Sequence, residues 1–184
     1  MTPITASGSL SKYLLGTGIN HWEALVAYIK CLPYGRNASR EDVFLVLKEG
    51  RGTCSSKHGC LKAVAEENGW TYITLHLVLF KMNGINTPKV ASILEHHQLS
   101  YLPEAHTILR VDGQALDATS SQSDFSNLEQ DVIWEEAISV AQLGAYKLQR
   151  HRAYLKEWLV NEKLPHTLDA LWAIREECIA ALSK

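Results

Sequence analysis

Long apolar runs are missing from this sequence: no stretch approaches the roughly 18 consecutive apolar residues a membrane-spanning helix needs. The start, Met1-Thr2-Pro3-Ile4-Thr5-Ala6, has neither the basic residues nor the apolar segment of a signal peptide. Cysteine is scarce. The four residues, at 31, 54, 60 and 178, are too few and too irregularly spaced for a disulfide framework in 184 residues, so reduced thiols are expected. Charge of one sign is also lacking: 18 basic residues stand against 20 acidic ones, for a net charge of −2, and neither forms a run. That argues against nucleic acid and against a membrane surface as partner. Together these absences predict a soluble, cytoplasmic chain. At 46% hydrophobic it has enough apolar material for one sizeable core and is short for two. A single domain over 1–184 is expected, with a core at about 20–120 and a C-terminal helical extension at about 130–184.

What is present centres on Gly50-Arg51-Gly52-Thr53-Cys54-Ser55-Ser56-Lys57-His58. Two glycines allow a sharp turn and a close backbone approach, and Thr53 suits the N-cap of a helix beginning at Cys54. The unpaired N–H groups and positive dipole end of a helix start favour an anion, so a cysteine there is a thiolate candidate.

Taken in order, residues 1–10 are small and polar and read as an unordered start. Asn20 caps a helix over 20–31, and Leu32-Pro33-Tyr34-Gly35-Arg36-Asn37 is a loop. Ser39 caps a short helix over 40–48. The Cys54 helix closes at Asn68-Gly69. From Trp70 to Lys81 the period becomes two, with Ile73, Leu75, Leu77 and Leu79 on one side of a strand and His76, Val78 and Phe80 on the other. A helix follows over 88–99, then a strand from His106 to Val111. Asp112-Gly113 is a strong hairpin signal, and a third strand returns from Gln114 to Thr119. Residues 120–131 are loop. Helical spacing runs over 134–160, interrupted at Gly144, and again over 167–182. The fold class is α+β.

Register in the hairpin carries the chemistry. A two-residue turn pairs Val111 with Gln114, and counting back sets Ile108 opposite Asp117 and His106 opposite Thr119. His106 and Asp117 then share a face as diagonal neighbours, with Cα atoms about 7–8 Å apart. An aspartate accepting from one imidazole nitrogen fixes the tautomer and leaves the other nitrogen free as a base. With Cys54 this makes a Cys-His-Asp constellation.

At these residues the sequence resembles the transglutaminase-like superfamily of papain-type cysteine enzymes. Gly52-Thr53-Cys54 opens a helix, His106 starts a later strand, and Asp117-Ala118-Thr119 stands where the family has Asp-Pro-Thr. The resemblance covers roughly residues 34–119. It implies a Cys-bearing helix packed on an antiparallel sheet, with Cys54 as nucleophile, His106 as general base and acid, and Asp117 as orienter. The activity implied is acyl transfer or hydrolysis at an amide carbonyl through a Cys54 thioester, with a peptide, protein or small amide as substrate and no cofactor.

Other readings compete. His58, one turn below Cys54, is a rival base, and Cys54, His58 and Cys60 are a rival metal set whose C-x3-H-x-C spacing fits no usual zinc pattern; no metal is expected. Tyr34, Arg36 and Asn37 precede the nucleophile and offer donors to an oxyanion, Tyr34 and Asn37 foremost. His96 and His97 lie on the inserted helix and read as a solvated pair, with a substrate-lid role as the rival reading. A non-catalytic binding scaffold of the same fold is the alternative function.

Overall fold

The structure is a computed structural model and describes residues 1–5 and 8–182. Among these residues there are seven α-helices and one four-stranded antiparallel sheet, so the α+β class holds. The strands are β1 (Ile73–Met82), β2 (Leu102–Val111), β3 (Gln114–Leu116) and β4 (Val132–Ile138), ordered β3-β2-β1-β4.

The alternation read in β1 is what the sheet uses. Ile73, Leu75, Leu77 and Leu79 are buried in the main core, each contributing on the order of 2 kcal/mol by leaving water. They meet Cys60, Leu61, Val64 and Ala65 of α4 (Cys54–Glu67) and Leu25 and Ile29 of α2 (Trp22–Cys31). On the opposite face Val78 packs with Ile108 and Phe125.

Several expectations are corrected. β4 lies in the stretch read as helical. Val132–Ile138 adds to the outer edge of β1, and it carries charge as edge strands do: Glu135 binds Arg110 on one face, and Glu136 accepts from Tyr146 and Arg150 on the other. The helix begins only after Gly144, as α6 (Ala145–Asn161), followed by α7 (Leu168–Leu182). Residues 1–5 and 8–10 are ordered, while 6 and 7 lie outside the described residues: Pro3 bridges to His21, and α1 (Ser9–Gly16) begins with its Leu10 and Ser11 N–H groups donating to Glu67. His21, not Asn20, caps α2, its Nδ1 accepting from Ala24 N–H. The short helix before Cys54 is α3 (Leu45–Glu49), and the inserted one is a 3-10 turn leading into α5 (Ala91–His96).

β2 starts at Leu102, four residues before the expected His106. Pro103 O accepts from His151 Nε2 at 2.8 Å, so the side on which Pro103 lacks an N–H faces α6 and costs the sheet no hydrogen bond. The two C-terminal helices close over this end: Leu155, Trp158, Leu171, Ile174 and Cys178 bury Phe80, Met82 and Leu102. No helix of the described residues is long and apolar enough to cross a membrane.

Candidate active site

Three local devices set the thiol. Gly50, in the left-handed region at φ 63°, ends α3. Gly52 pairs with the Tyr34 loop by two backbone bonds, and a Cβ there would lie 2.9 Å from Lys57 and Ser56, so nothing larger fits. Thr53 caps α4, accepting from Ser56 N–H and donating its own N–H to Ser56 Oγ, a capping box.

The start of α4 straddles an open edge of β2. Strand β3 pairs with β2 only from Leu109 to Val111, which leaves residues 102–108 uncovered on that side. Ser55 Oγ meets Thr107 Oγ1 at 3.3 Å while Cys54 and His106 border the same cavity. Neighbouring strand residues point to opposite faces, so only a helix end set against the strand's edge reaches both.

The hairpin register is the expected one, Val111 to Gln114 and Leu109 to Leu116. His106 Nε2 donates to Asp117 Oδ2 at 2.8 Å, and Asp117 Oδ1 accepts from Thr119 N–H. That leaves Nδ1 of His106 for the sulfur. Burial alone would push the Cys54 thiol up, but the Lys147 ammonium, with the hydrogen bond and charge of His106, outweighs it and brings the thiol down to about 6. Burial also opposes charge on His106; Asp117 outweighs it and holds the ring up to about 10. Asp117 is buried too, yet the His106 charge keeps it well below the usual carboxylate range. Both shifts point the same way, toward a thiolate beside an imidazolium at neutral pH.

Lys147 had no signal in sequence. It lies in the first turn of α6, 93 residues from the cysteine, where a helical lysine ordinarily means a solvated face. Here its Nζ donates to Ser55 Oγ at 2.7 Å and Thr107 Oγ1 at 2.9 Å and lies 3.8 Å from Cys54 Sγ. Lys57 is buried as well: its Nζ donates to Leu32 O and Thr119 O, tying α4 to the loops on either side, and burial brings it down to about 8.

His58 is engaged elsewhere. Nδ1 donates to Cys54 O at 2.7 Å and Nε2 accepts from Ala118 N–H at 2.7 Å, which fixes a neutral tautomer; burial holds the ring down to about 4. Its Nε2 is also 3.7 Å from Asp117 Oδ1, but a lone pair facing a carboxylate is no hydrogen bond. With both nitrogens used it has none left for a proton relay or a metal. Cys60 faces the core, raised by burial to about 12. Among the described residues no group of three or more His, Cys, Asp or Glu is arranged to hold a metal ion.

Two cavities flank the sulfur, and Cys54, Tyr34 and Ile179 border both. The larger, about 470 Å³, is lined by His106 and Asp117 and by apolar Phe80, Met82, Leu128 and Leu182. The smaller, about 90 Å³, is lined by Arg36, Asn37, Arg40, Lys147 and Arg175. Asn37 gives its amide hydrogens to Glu49 and Arg51 O, so it braces the loop and has no donor left for an oxyanion. Arg36 is paired to Glu176. Tyr34 keeps its place beside the sulfur, its phenol pushed up by burial and by the Cys54 charge. His96 and His97 border neither cavity; His97 pairs with Glu177 on α7.

No protein-family model, no curated protein and no solved structure matches this chain. The function is therefore argued from the site's own chemistry.

Proposed function

We propose that the protein is a cysteine-dependent acyl-transfer enzyme of transglutaminase-like, papain-type design, acting on an amide carbonyl through a Cys54 thioester. The observation that carries this reading is the His106–Asp117 hydrogen bond on the wall of a cavity that Cys54 also lines, where two cavities meet; the lowered Cys54 thiol supports it.

The chemistry follows from that arrangement. The thiolate forms a bond to the carbonyl carbon as the π pair moves onto oxygen. The Cys54 N–H, at a helix start with no acceptor inside the helix, faces the resulting oxyanion, and Tyr34, which borders both cavities, offers a side-chain donor. When the tetrahedral species collapses, the C–N bond breaks and the departing nitrogen takes the proton from His106 Nδ1. The neutral imidazole then removes a proton from water or an amine as that nucleophile attacks the thioester. Thiolate and imidazolium return, and the acyl group leaves as acid or as new amide. Asp117 keeps the ring oriented throughout.

The test is labelling with an electrophilic thiol probe, read by peptide mass. Cys54 is expected to label at mildly acidic pH while Cys31, which is exposed, does not. If Cys54 labels no faster than Cys31, the thiol is structural and the domain is a binding scaffold instead.

A further inference from the structure

The two cavities differ in charge. The walls of the small one hold Arg36, Arg40, Lys147 and Arg175, with no aspartate or glutamate among them. Three of these cations are already satisfied: Arg36 by Glu176, Arg175 by Glu104 and Glu176, and Lys147 by the two hydroxyls and the sulfur. Arg40 is exposed, and no salt bridge or hydrogen bond joins its side chain to another described residue. Glu41, the acid beside it in sequence, runs along Gly144 and does not line the cavity. The large cavity is the opposite, with Glu104, Asp117 and Asp124 on its walls against Lys89 and His106.

Proton transfer gives the cleft a direction. His106 lines only the large cavity and Lys147 only the small one. The general acid must reach the departing nitrogen, so the leaving group lies on the His106 side and the acyl group on the Lys147 side. A space of about 90 Å³ admits a short acyl group.

We infer that the acyl donor is anionic: a short acyl group bearing a carboxylate, bound in the small cavity by Arg40, with an apolar amine leaving through the large one. This deepens the acyl-transfer reading and rests on it for the direction of the cleft. Arginine fits a carboxylate with two parallel N–H donors, and it is the one cation of this wall still without an acceptor.

The experiment compares the alkylation of Cys54 by iodoacetate, which carries a carboxylate, and by neutral iodoacetamide, with glutathione as the reference thiol. The iodoacetate-to-iodoacetamide rate ratio is expected to exceed that of glutathione by about tenfold and to shrink with added salt. Arg40→Glu should bring it down to the glutathione value, whereas Lys12→Glu, a charge reversal on α1 away from the cleft, should leave it unchanged. A wild-type ratio equal to glutathione's, or one that Arg40→Glu does not lower, overturns the anion site while leaving Cys54 reactive. If Cys54 alkylates with neither reagent, the acyl-transfer reading fails by itself and succinate binding decides the anion site. Saturable succinate shifts of the Trp172 indole resonance, weakened in Arg40→Glu, uphold it, and no shift overturns it.

Discussion

A buried histidine, His58, and a largely buried one, His106, stand 6.2 Å apart, ring centre to ring centre, and their surroundings shift them in opposite directions. Both lose water, and burial alone would keep either one neutral. His58 spends its nitrogens on one carbonyl and one amide, so it stays neutral and falls to about 4. His106 spends one nitrogen on a carboxylate and turns the other to the sulfur, so it holds its proton up to about 10. Which atoms complete the ring's hydrogen bonds thus decides whether a buried imidazole is a brace or an acid.

The sharpest break of this comparison is His106→Ala. It removes the charge and hydrogen bond that help hold the thiolate, so the Cys54 pKa should climb toward the free value of about 8.5 and alkylation at pH 6 should fall by about a hundredfold. Asp117→Asn should move the same profile part of the way, since the ring keeps its place without its charge partner. The pH dependence of iodoacetamide labelling, followed by mass, gives the numbers. A profile unchanged in His106→Ala would end the claim that this ring acts on the sulfur.

His58→Ala should do the reverse, sparing the chemistry of His106 but not the fold. It leaves the Ala118 N–H buried without an acceptor, at a cost of about 1–3 kcal/mol, and opens a ring-sized void besides. A total loss of about 3–5 kcal/mol in urea unfolding is expected. A loss under 1 kcal/mol would mean that the ring braces nothing.

Lys147→Met tests the second cation beside the sulfur. The side chain keeps its length and loses its charge, so the Cys54 pKa should rise by about one unit and labelling at pH 6 should slow about fivefold, less than in His106→Ala. If Lys147→Met has no effect on the profile, the ammonium serves only Ser55 and Thr107.

How much of this was legible in sequence follows the range over which each feature is decided. The Thr53 cap, the Asn68-Gly69 stop, the period-two pattern of β1 and the Asp112-Gly113 turn depend on residues within a few positions of one another, and all appear in the structure. The turn alone fixed the register that brings His106 to Asp117. β4 could not be read that way: Glu135-Glu136-Ala137 suits a helix, and only the open edge of β1 makes it a strand. Lys147 arrives at Cys54 because α6 runs along the free edge of β2, touching Thr107 with one side chain and Pro103 with another. No local pattern in a helical lysine announces such a neighbour.

The effect spread over the widest range lies in stability against pH, and it separates the two rings once more. His58 has a folded value below its unfolded one of 6.5. As pH falls the unfolded chain therefore takes up the proton first, and stability drops from about pH 6.5 down through about pH 4. His106, raised in the fold, contributes in the other sense: its share is complete below about pH 6.5 and is lost as pH rises through about 10. His76 and His151 are also lowered by burial, so the acid limb of the whole protein is a composite. Only a difference between variants isolates one ring. His58→Gln keeps an amide oxygen able to accept from Ala118 N–H and cannot take up a proton. Between pH 6.5 and 4 its stability should fall less steeply than that of the wild type, by up to about 1.4 kcal/mol per pH unit, the slope of one proton. Above pH 7 the two curves should run parallel, because His58 is neutral in both folded and unfolded chains there. Urea unfolding at half-unit steps of pH resolves the difference. Parallel curves through the acid range would show that His58 takes up its proton as readily in the fold as out of it, and the contrast between brace and acid would be lost.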